Sequence, residues 1–125
     1  MTVGQVMQVL DAKLVTCGDL LDADVRSACG SDLMSDVLAF VKDQSVLITG
    51  LTNSQAVRTA EMMDIVCIVL VRGKLADEGM IALARERHIV VLQTGHSMFT
   101  ACGLLYQSGL RGESGKNARK SKTAL

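Results

Sequence analysis

The sequence predicts a single α/β domain whose sheet is largely parallel and whose strands are joined by crossover helices. Two observations lead to this prediction. From Ser45 onward, short apolar segments of strand length alternate with longer segments of helical period. One strand-length segment, IVCIVLV at 65–71, is apolar at every position, which is typical of a strand covered on both faces. Alternation of this kind is built from right-handed crossovers between parallel strands.

The first part of the chain predicts two helices and two strands. Residues 3–10 place their apolar side chains at i, i+3, i+4 and i+7, which indicates a short amphipathic helix. The segment KLVTC at 13–17 predicts a strand, and DVRSACG at 24–30 predicts a second strand by weak alternation. The segment SDLMSDVLAFVK at 31–42 begins with capping residues and continues as a helix.

The rest of the chain predicts three strands and three helices in alternation. The strands are SVLITG at 45–50, IVCIVLV at 65–71 and IVVLQTG at 89–95. We expect these three to be adjacent and parallel, because the helices between them are crossovers. The helices cover residues 53–63, 77–87 and 96–110. The helix at 77–87 has acids in its first turn and arginines in its last, which matches the helix macrodipole.

Length and charge predict one domain at residues 1–110, followed by a mobile basic tail at 111–125. The chain has 125 residues and a formal net charge of zero, but the tail is cationic and the domain is mildly acidic. The chain also has one Tyr, two Phe and no Trp. An acidic domain with so few rings argues against nucleic-acid binding, which needs basic surface and stacking side chains.

The four cysteines are widely spaced, without a C-x-x-C pair or histidines at ligand spacing. This pattern argues against a disulfide framework or a zinc site. No apolar run approaches the ~20 residues that span a bilayer, and the first residues do not have the pattern of a leader peptide. We therefore expect a cytoplasmic protein without a metal or cofactor.

Three loops are expected to meet at one edge of the sheet, since ligands of such sheets bind beyond the carboxyl ends of the strands. They are TGLTNS at 49–54, RGK at 72–74 and TGHS at 94–97, and we call these three loops the ligand rim. Glycines allow close backbone approach, helix starts offer N–H groups, and the two cations attract anions. The residues predicted to bind a small anionic ligand are Thr49, Gly50, Thr52, Asn53, Ser54, Arg72, Gly73, Lys74, Thr94, Gly95, His96 and Ser97.

Other interpretations of the same residues stay open. Thr-Gly after a strand is common turn chemistry, Asn and Ser are ordinary helix caps, and loop cations are often only solvated. The spacing of a nucleotide-hydrolysing P-loop and the G-x-G-x-x-G fingerprint are both missing. His96 is a candidate general base, while His88 is expected at the opposite edge of the sheet in a structural role. Asp32 and Asp36 have the i, i+4 spacing of metal ligands, but helix stabilisation also explains such acids.

Four segments together resemble the DRTGG domain family. They are SDLMSDVLA, LITGLTNSQAVRTAEMMDI, VRGK and MFTACGLLYQSGL, and the resemblance covers about residues 3–110. It implies an α/β fold similar to the N-terminal domain of HPr kinase/phosphorylase. Domains of this family also occur fused to CBS-domain pairs, within long phosphotransacetylases and alone in anaerobic prokaryotes. The motif that names the family falls on residues 51–55, LTNSQ, which depart from it at nearly every position.

The resemblance implies a regulatory or sensory domain without catalysis, binding a nucleotide-like anion, a partner protein such as an enzyme, or both. Two alternatives are a small acyl- or phosphoryl-transfer enzyme that uses His96 with Arg72 or Lys74, and a purely structural assembly module. We also expect a homodimer. Methionine adapts to irregular contacts, and the segments SDLMSDVLAF and MFTACGLLY each have an apolar face without an evident partner.

Overall fold

The computed structural model of the chain describes residues 1–40 and 44–112. Its helices are α1 (Val3–Val9), α2 (Met34–Phe40), α3 (Ser54–Met62), α4 (Glu78–Glu86) and α5 (Met98–Gln107). Its strands are β1 (Lys13–Thr16), β2 (Ser27–Gly30), β3 (Ser45–Thr49), β4 (Cys67–Leu70) and β5 (Val90–Gln93), and a short 3-10 helix spans Gly18–Leu20. Each predicted helix and strand is present, and most are one to three residues shorter at their described ends. Residues 41–42 of the helix predicted at 31–42 lie outside the described residues.

The five strands form one sheet in the order β1-β5-β4-β3-β2. Strands β2, β3, β4 and β5 are parallel to their neighbours, and the prediction that β3, β4 and β5 follow one another in parallel is confirmed. Strand β1 is the exception, because it pairs antiparallel with β5 at one edge. The sheet is therefore mixed, with a parallel part of four strands.

Helices cover both faces of the sheet, so the domain has three layers. Helices α1 and α5 pack on one face, where the core contains Val6, Val69 and Leu105. Helices α2, α3 and α4 pack on the other face, around Val57, Ile68 and neighbouring residues. Successive residues of β4 therefore enter opposite cores, which explains why the whole strand is apolar.

The chain beyond α5 returns to the edge strand β2. Leu110 is buried, and the carbonyl of Arg111 accepts a hydrogen bond of 3.0 Å from the N–H of Ala28. The Arg111 guanidinium lies over the Tyr106 ring, 4.0 Å from its centroid. The first residues of the predicted tail thus contact the domain, and residues 113–125 lie outside the described part of the chain.

Among the described residues, no helix has the length and apolar character needed to cross a membrane.

Candidate functional site

The three loops of the ligand rim lie side by side at the carboxyl ends of β3, β4 and β5. The N–H of Arg72 donates to the carbonyl of His96 at 2.7 Å, and the N–H of Gly73 donates to the carbonyl of Thr94 at 2.9 Å. The Asp77 N–H, just before α4, donates to the carbonyl of Thr52 at 3.0 Å. Backbone hydrogen bonds therefore join the second loop to the third and the start of α4 to the first.

The turn after β4 sets the position of the two cations. Val71 is buried, while Arg72, Gly73 and Lys74 are exposed, and Lys74 closes the turn by donating its N–H to the Val71 carbonyl at 3.1 Å. Arg72 has φ 58° and Gly73 has φ 68°, so both lie in the left-handed region. That conformation is unfavourable for a residue with a Cβ and persists only where surrounding contacts hold it, as the hydrogen bond to His96 does here.

Three of the predicted ligand residues are buried and have structural roles instead. Thr49 and Gly50 are buried at the end of β3, and the Thr49 hydroxyl donates to Asp32 Oδ1 at 3.2 Å. Thr94 is buried, and its hydroxyl donates to the carbonyl of Leu10 at 2.7 Å, which ties the end of α1 to β5. These side chains close the ends of strands and do not offer their hydroxyl groups to a ligand.

Two further rim residues are helix caps. The Asn53 side chain accepts from the N–H of Gln55 at 3.0 Å, and the Ser97 hydroxyl accepts from the N–H of Thr100 at 3.2 Å. Both remain exposed, so capping does not remove them from the surface of the rim. The rim residues that keep exposed or partly exposed surface are Thr52, Asn53, Ser54, Arg72, Gly73, Lys74, Gly95, His96 and Ser97.

A carboxylate that was not predicted to belong to the rim lies at its edge. Asp32, in the loop between β2 and α2, accepts the N–H of Gly50 at 2.6 Å through Oδ1. A Cβ placed on Gly50 would be 3.2 Å from this oxygen and 3.2 Å from Nη2 of Arg72. Gly50 is therefore needed less for close approach of a ligand than for the room it leaves to these two side chains.

The alternative interpretation of Asp32 and Asp36 as metal ligands is not supported by the geometry. Helix α2 begins at Met34, so Asp32 precedes the helix and the two acids do not share its face. Within residues 1–40 and 44–112, no three His, Cys, Asp or Glu side chains are grouped as metal ligands would be.

Three of the four cysteines are poor candidates for a catalytic nucleophile. Burial raises the pKa of the Cys67 thiol far above its usual range. Burial also raises the pKa of Cys102 and, with smaller contributions from Cys102 and Asp36, that of Cys29. These thiols stay protonated at neutral pH, and a protonated thiol is a poor nucleophile.

A cleft of about 590 Å³ lies at the other end of the strands from the ligand rim, where β3, β4 and β5 begin. Its lining includes His88, which was predicted to lie away from the ligand rim. His88 follows α4 and has a positive φ of 57°. Glu61 and Arg87 in the same cleft pair with each other at 3.1 Å. Arg72 and Lys74 of the ligand rim, by contrast, form no ion pair within 4.0 Å among residues 1–40 and 44–112, which favours the rim as the anion site.

These features define an α/β domain with polar loops gathered at the carboxyl ends of the parallel strands of a mixed sheet. Residues 5–108 match the DRTGG domain family, and the chain belongs to that family. The resemblance drawn from the four sequence segments is thereby confirmed. No curated protein matches the chain.

Among solved structures, the chain is similar to the CBS and DRTGG domains of the regulatory region of Clostridium perfringens pyrophosphatase, complexed with the activator diadenosine tetraphosphate. The TM-score is 0.72 at 18% sequence identity, and the match covers 86% of this chain. It covers 46% of the other chain, so the present chain corresponds to less than half of that regulatory region. At this identity the similarity establishes the fold.

Proposed function

We propose that this DRTGG domain is a non-catalytic regulatory module that binds a small, nucleotide-like anion at the ligand rim and signals its presence to a partner enzyme. The observation that supports this most directly is the turn after β4, where a left-handed Arg72 backbone is held by the His96 carbonyl with Arg72 and Lys74 exposed. Family membership and the regulatory setting of the similar pyrophosphatase domains support the same proposal.

Replacing Arg72 and Lys74 together by alanine is expected to abolish stabilisation by ligands while leaving the fold intact. A ligand that binds only the native state stabilises it, by about 2.7 kcal/mol at a hundred times its Kd. Exposed loop charges themselves change stability by under ~0.5 kcal/mol. Thermal unfolding with nucleotides, dinucleotides and acyl phosphates measures both quantities.

The matched control is Arg58→Ala with Arg85→Ala, which removes two exposed cations from α3 and α4. The control variant should respond to the ligand as the parent does. An equal loss of response in both variants would mean that only net charge matters, and an unchanged response in the rim variant would remove Arg72 and Lys74 from the site. Consumption of an acyl phosphate in the same samples would instead favour the enzyme that uses His96.

We also propose that the chain forms a homodimer. The two segments expected to supply its interface bury Val37 and Leu105 in their own core, yet they leave Leu38 and Tyr106 exposed on α2 and α5. Helices α2 and α5 lie on opposite faces of the sheet, so the two exposed residues are candidates for an interface that extends around the edge at β2. The cyclic dimer is the commonest closed assembly. We propose a cytoplasmic location as well, which the four free cysteines support. The anaerobic source implied by the resemblance stays a prediction.

Light scattering at micromolar concentration should give about twice the 13.3 kDa mass of one chain. Leu38→Ser with Tyr106→Ser should reduce the mass to that of one chain, because polar side chains weaken an apolar interface. Met62→Ser, which changes a still more exposed apolar residue on α3, is the control and should stay dimeric. A parent protein with the mass of one chain would refute the dimer.

A further inference from the structure

The two carboxylate oxygens of Asp32 have different surroundings. Oδ1 accepts the N–H of Gly50 and the hydroxyl of Thr49. Within the described ranges, residues 1–40 and 44–112, no protein group donates to Oδ2, and the residue is exposed. An ionised carboxylate oxygen only accepts hydrogen bonds. Oδ2 is therefore available to a ligand that brings a donor, such as a hydroxyl or an amino group.

The position of Asp32 places this acceptor beside a cation. A Cβ on Gly50 would be 3.6 Å from Oδ2 and 3.2 Å from Nη2 of Arg72, so both groups border the same small space. Because both side chains are exposed, a ligand can contact them together at the surface. Such a ligand must be anionic on the side of Arg72 and must carry a donor on the side of Asp32. A ligand that is anionic throughout would have its charge next to the carboxylate, which repels it.

An exposed aromatic residue, Phe99, follows the third loop of the ligand rim by two positions in the chain. A Cβ on Gly30, two residues before Asp32, would be 3.8 Å from Cγ of Met98, the first residue of α5. Phe99 follows Met98, and 89% of its side chain is exposed. An exposed ring is a platform on which a nucleobase of any identity can stack. The neighbouring cation and acceptor match the phosphate and ribose of a nucleotide, and the exposed ring just beyond the rim offers a stacking surface for a base.

We propose that Asp32 is a specificity-determining residue of the ligand rim, which selects nucleoside phosphates over inorganic polyphosphates by accepting a hydrogen bond from a ribose hydroxyl at Oδ2. This inference rests on the proposed function, because it presumes that the rim binds anions. Dinucleotide-binding domains likewise use a carboxylate that accepts a hydrogen bond from a ribose hydroxyl. Asp32 thus gives selectivity, while Arg72 and Lys74 give attraction.

The test compares ATP with inorganic tripolyphosphate, which carries the same chain of phosphates without the nucleoside. Calorimetric titration of the full chain should show ATP binding about tenfold more tightly, the usual scale of a hydrogen bond to a charged group. Asp32→Asn keeps an acceptor for the Gly50 N–H but removes the charge. It should bind tripolyphosphate more tightly than the parent does and should lower the ATP preference about fivefold or more.

Asp36→Asn, which removes the same charge from α2 a few residues along the chain, is the control and should keep the parental preference. An unchanged preference in Asp32→Asn would overturn the inference, and so would an equal gain for both ligands, which would make Asp32 a simple repulsive charge. If the parent protein binds neither ligand, the proposed function fails as well. If it binds tripolyphosphate through Arg72 and Lys74 without preferring ATP, only the role of Asp32 is refuted.

Discussion

Replacing Thr16 by valine is expected to lower the free energy of unfolding by about 2–4 kcal/mol. The Thr16 hydroxyl is buried, donates to the Ile89 carbonyl at 2.8 Å and accepts from the Val91 N–H at 2.8 Å. Valine has nearly the same shape but no hydroxyl, so it leaves a buried donor and a buried acceptor without partners. Urea unfolding followed by circular dichroism measures the loss.

The reason for this large effect lies in the pairing of β1 with β5. The register shifts between Leu14 and Thr16, so the regular ladder of backbone hydrogen bonds is interrupted there. The Thr16 side chain bonds to β5 at this interruption. Thr16→Ser, the matched control, keeps the hydroxyl and should cost under ~1.5 kcal/mol, the value for a small loss of apolar volume. Equal losses for valine and serine would show that the hydroxyl contributes no more than the methyl group, and would contradict the prediction.

The antiparallel β1 also shows where prediction from sequence stops. Strands β3, β4 and β5 were predictable because each is an apolar run followed by a helix with clear caps, and that alternation determines both order and direction. The direction of β1 could not be predicted in this way, because β1 does not belong to the strand–helix alternation. Its partner β5 lies more than 70 residues later in the chain. Strand β2 is half-buried at the other edge, which explains why its alternation is weak.

The candidate site was also predictable only in part from the sequence. The convergence of the three loops follows from the direction of the strands, and the exposed turn with its two cations, Arg72 and Lys74, was predictable from the sequence. The burial of Thr49 and Thr94 was not, because a hydroxyl that closes a strand end has the same sequence signature as one that binds a ligand. Asp32 was missed because its contact with Gly50 depends on β2 lying next to β3, and the spacing of acids along the chain does not reveal which strands are neighbours.

A second large effect is expected where α5 docks on β2. A Cβ at Gly30 would lie 2.6 Å from Sγ of Cys102, closer than such atoms can approach. The φ of Gly30 is outside the left-handed region, so an alanine suits the backbone and its whole cost comes from this contact. Gly30→Ala should therefore lower the free energy of unfolding by about 1–3 kcal/mol, the usual cost of overpacking. Urea unfolding again gives the value.

A double-mutant cycle with Cys102→Ala, which removes Sγ, isolates this contact. In the Cys102→Ala background the cost of Gly30→Ala should fall below ~0.5 kcal/mol, because the two changes relieve each other. Gly103→Ala, on the same helix but with open space around the added Cβ, should stabilise by about 0.5–1 kcal/mol. Additive costs in the cycle would mean that Cys102 rotates away without strain. Met98, in the first turn of α5, also lies close to Gly30. We therefore expect Gly30→Ala to displace this turn. The variant protein should then respond more weakly to ligands than its loss of stability alone explains.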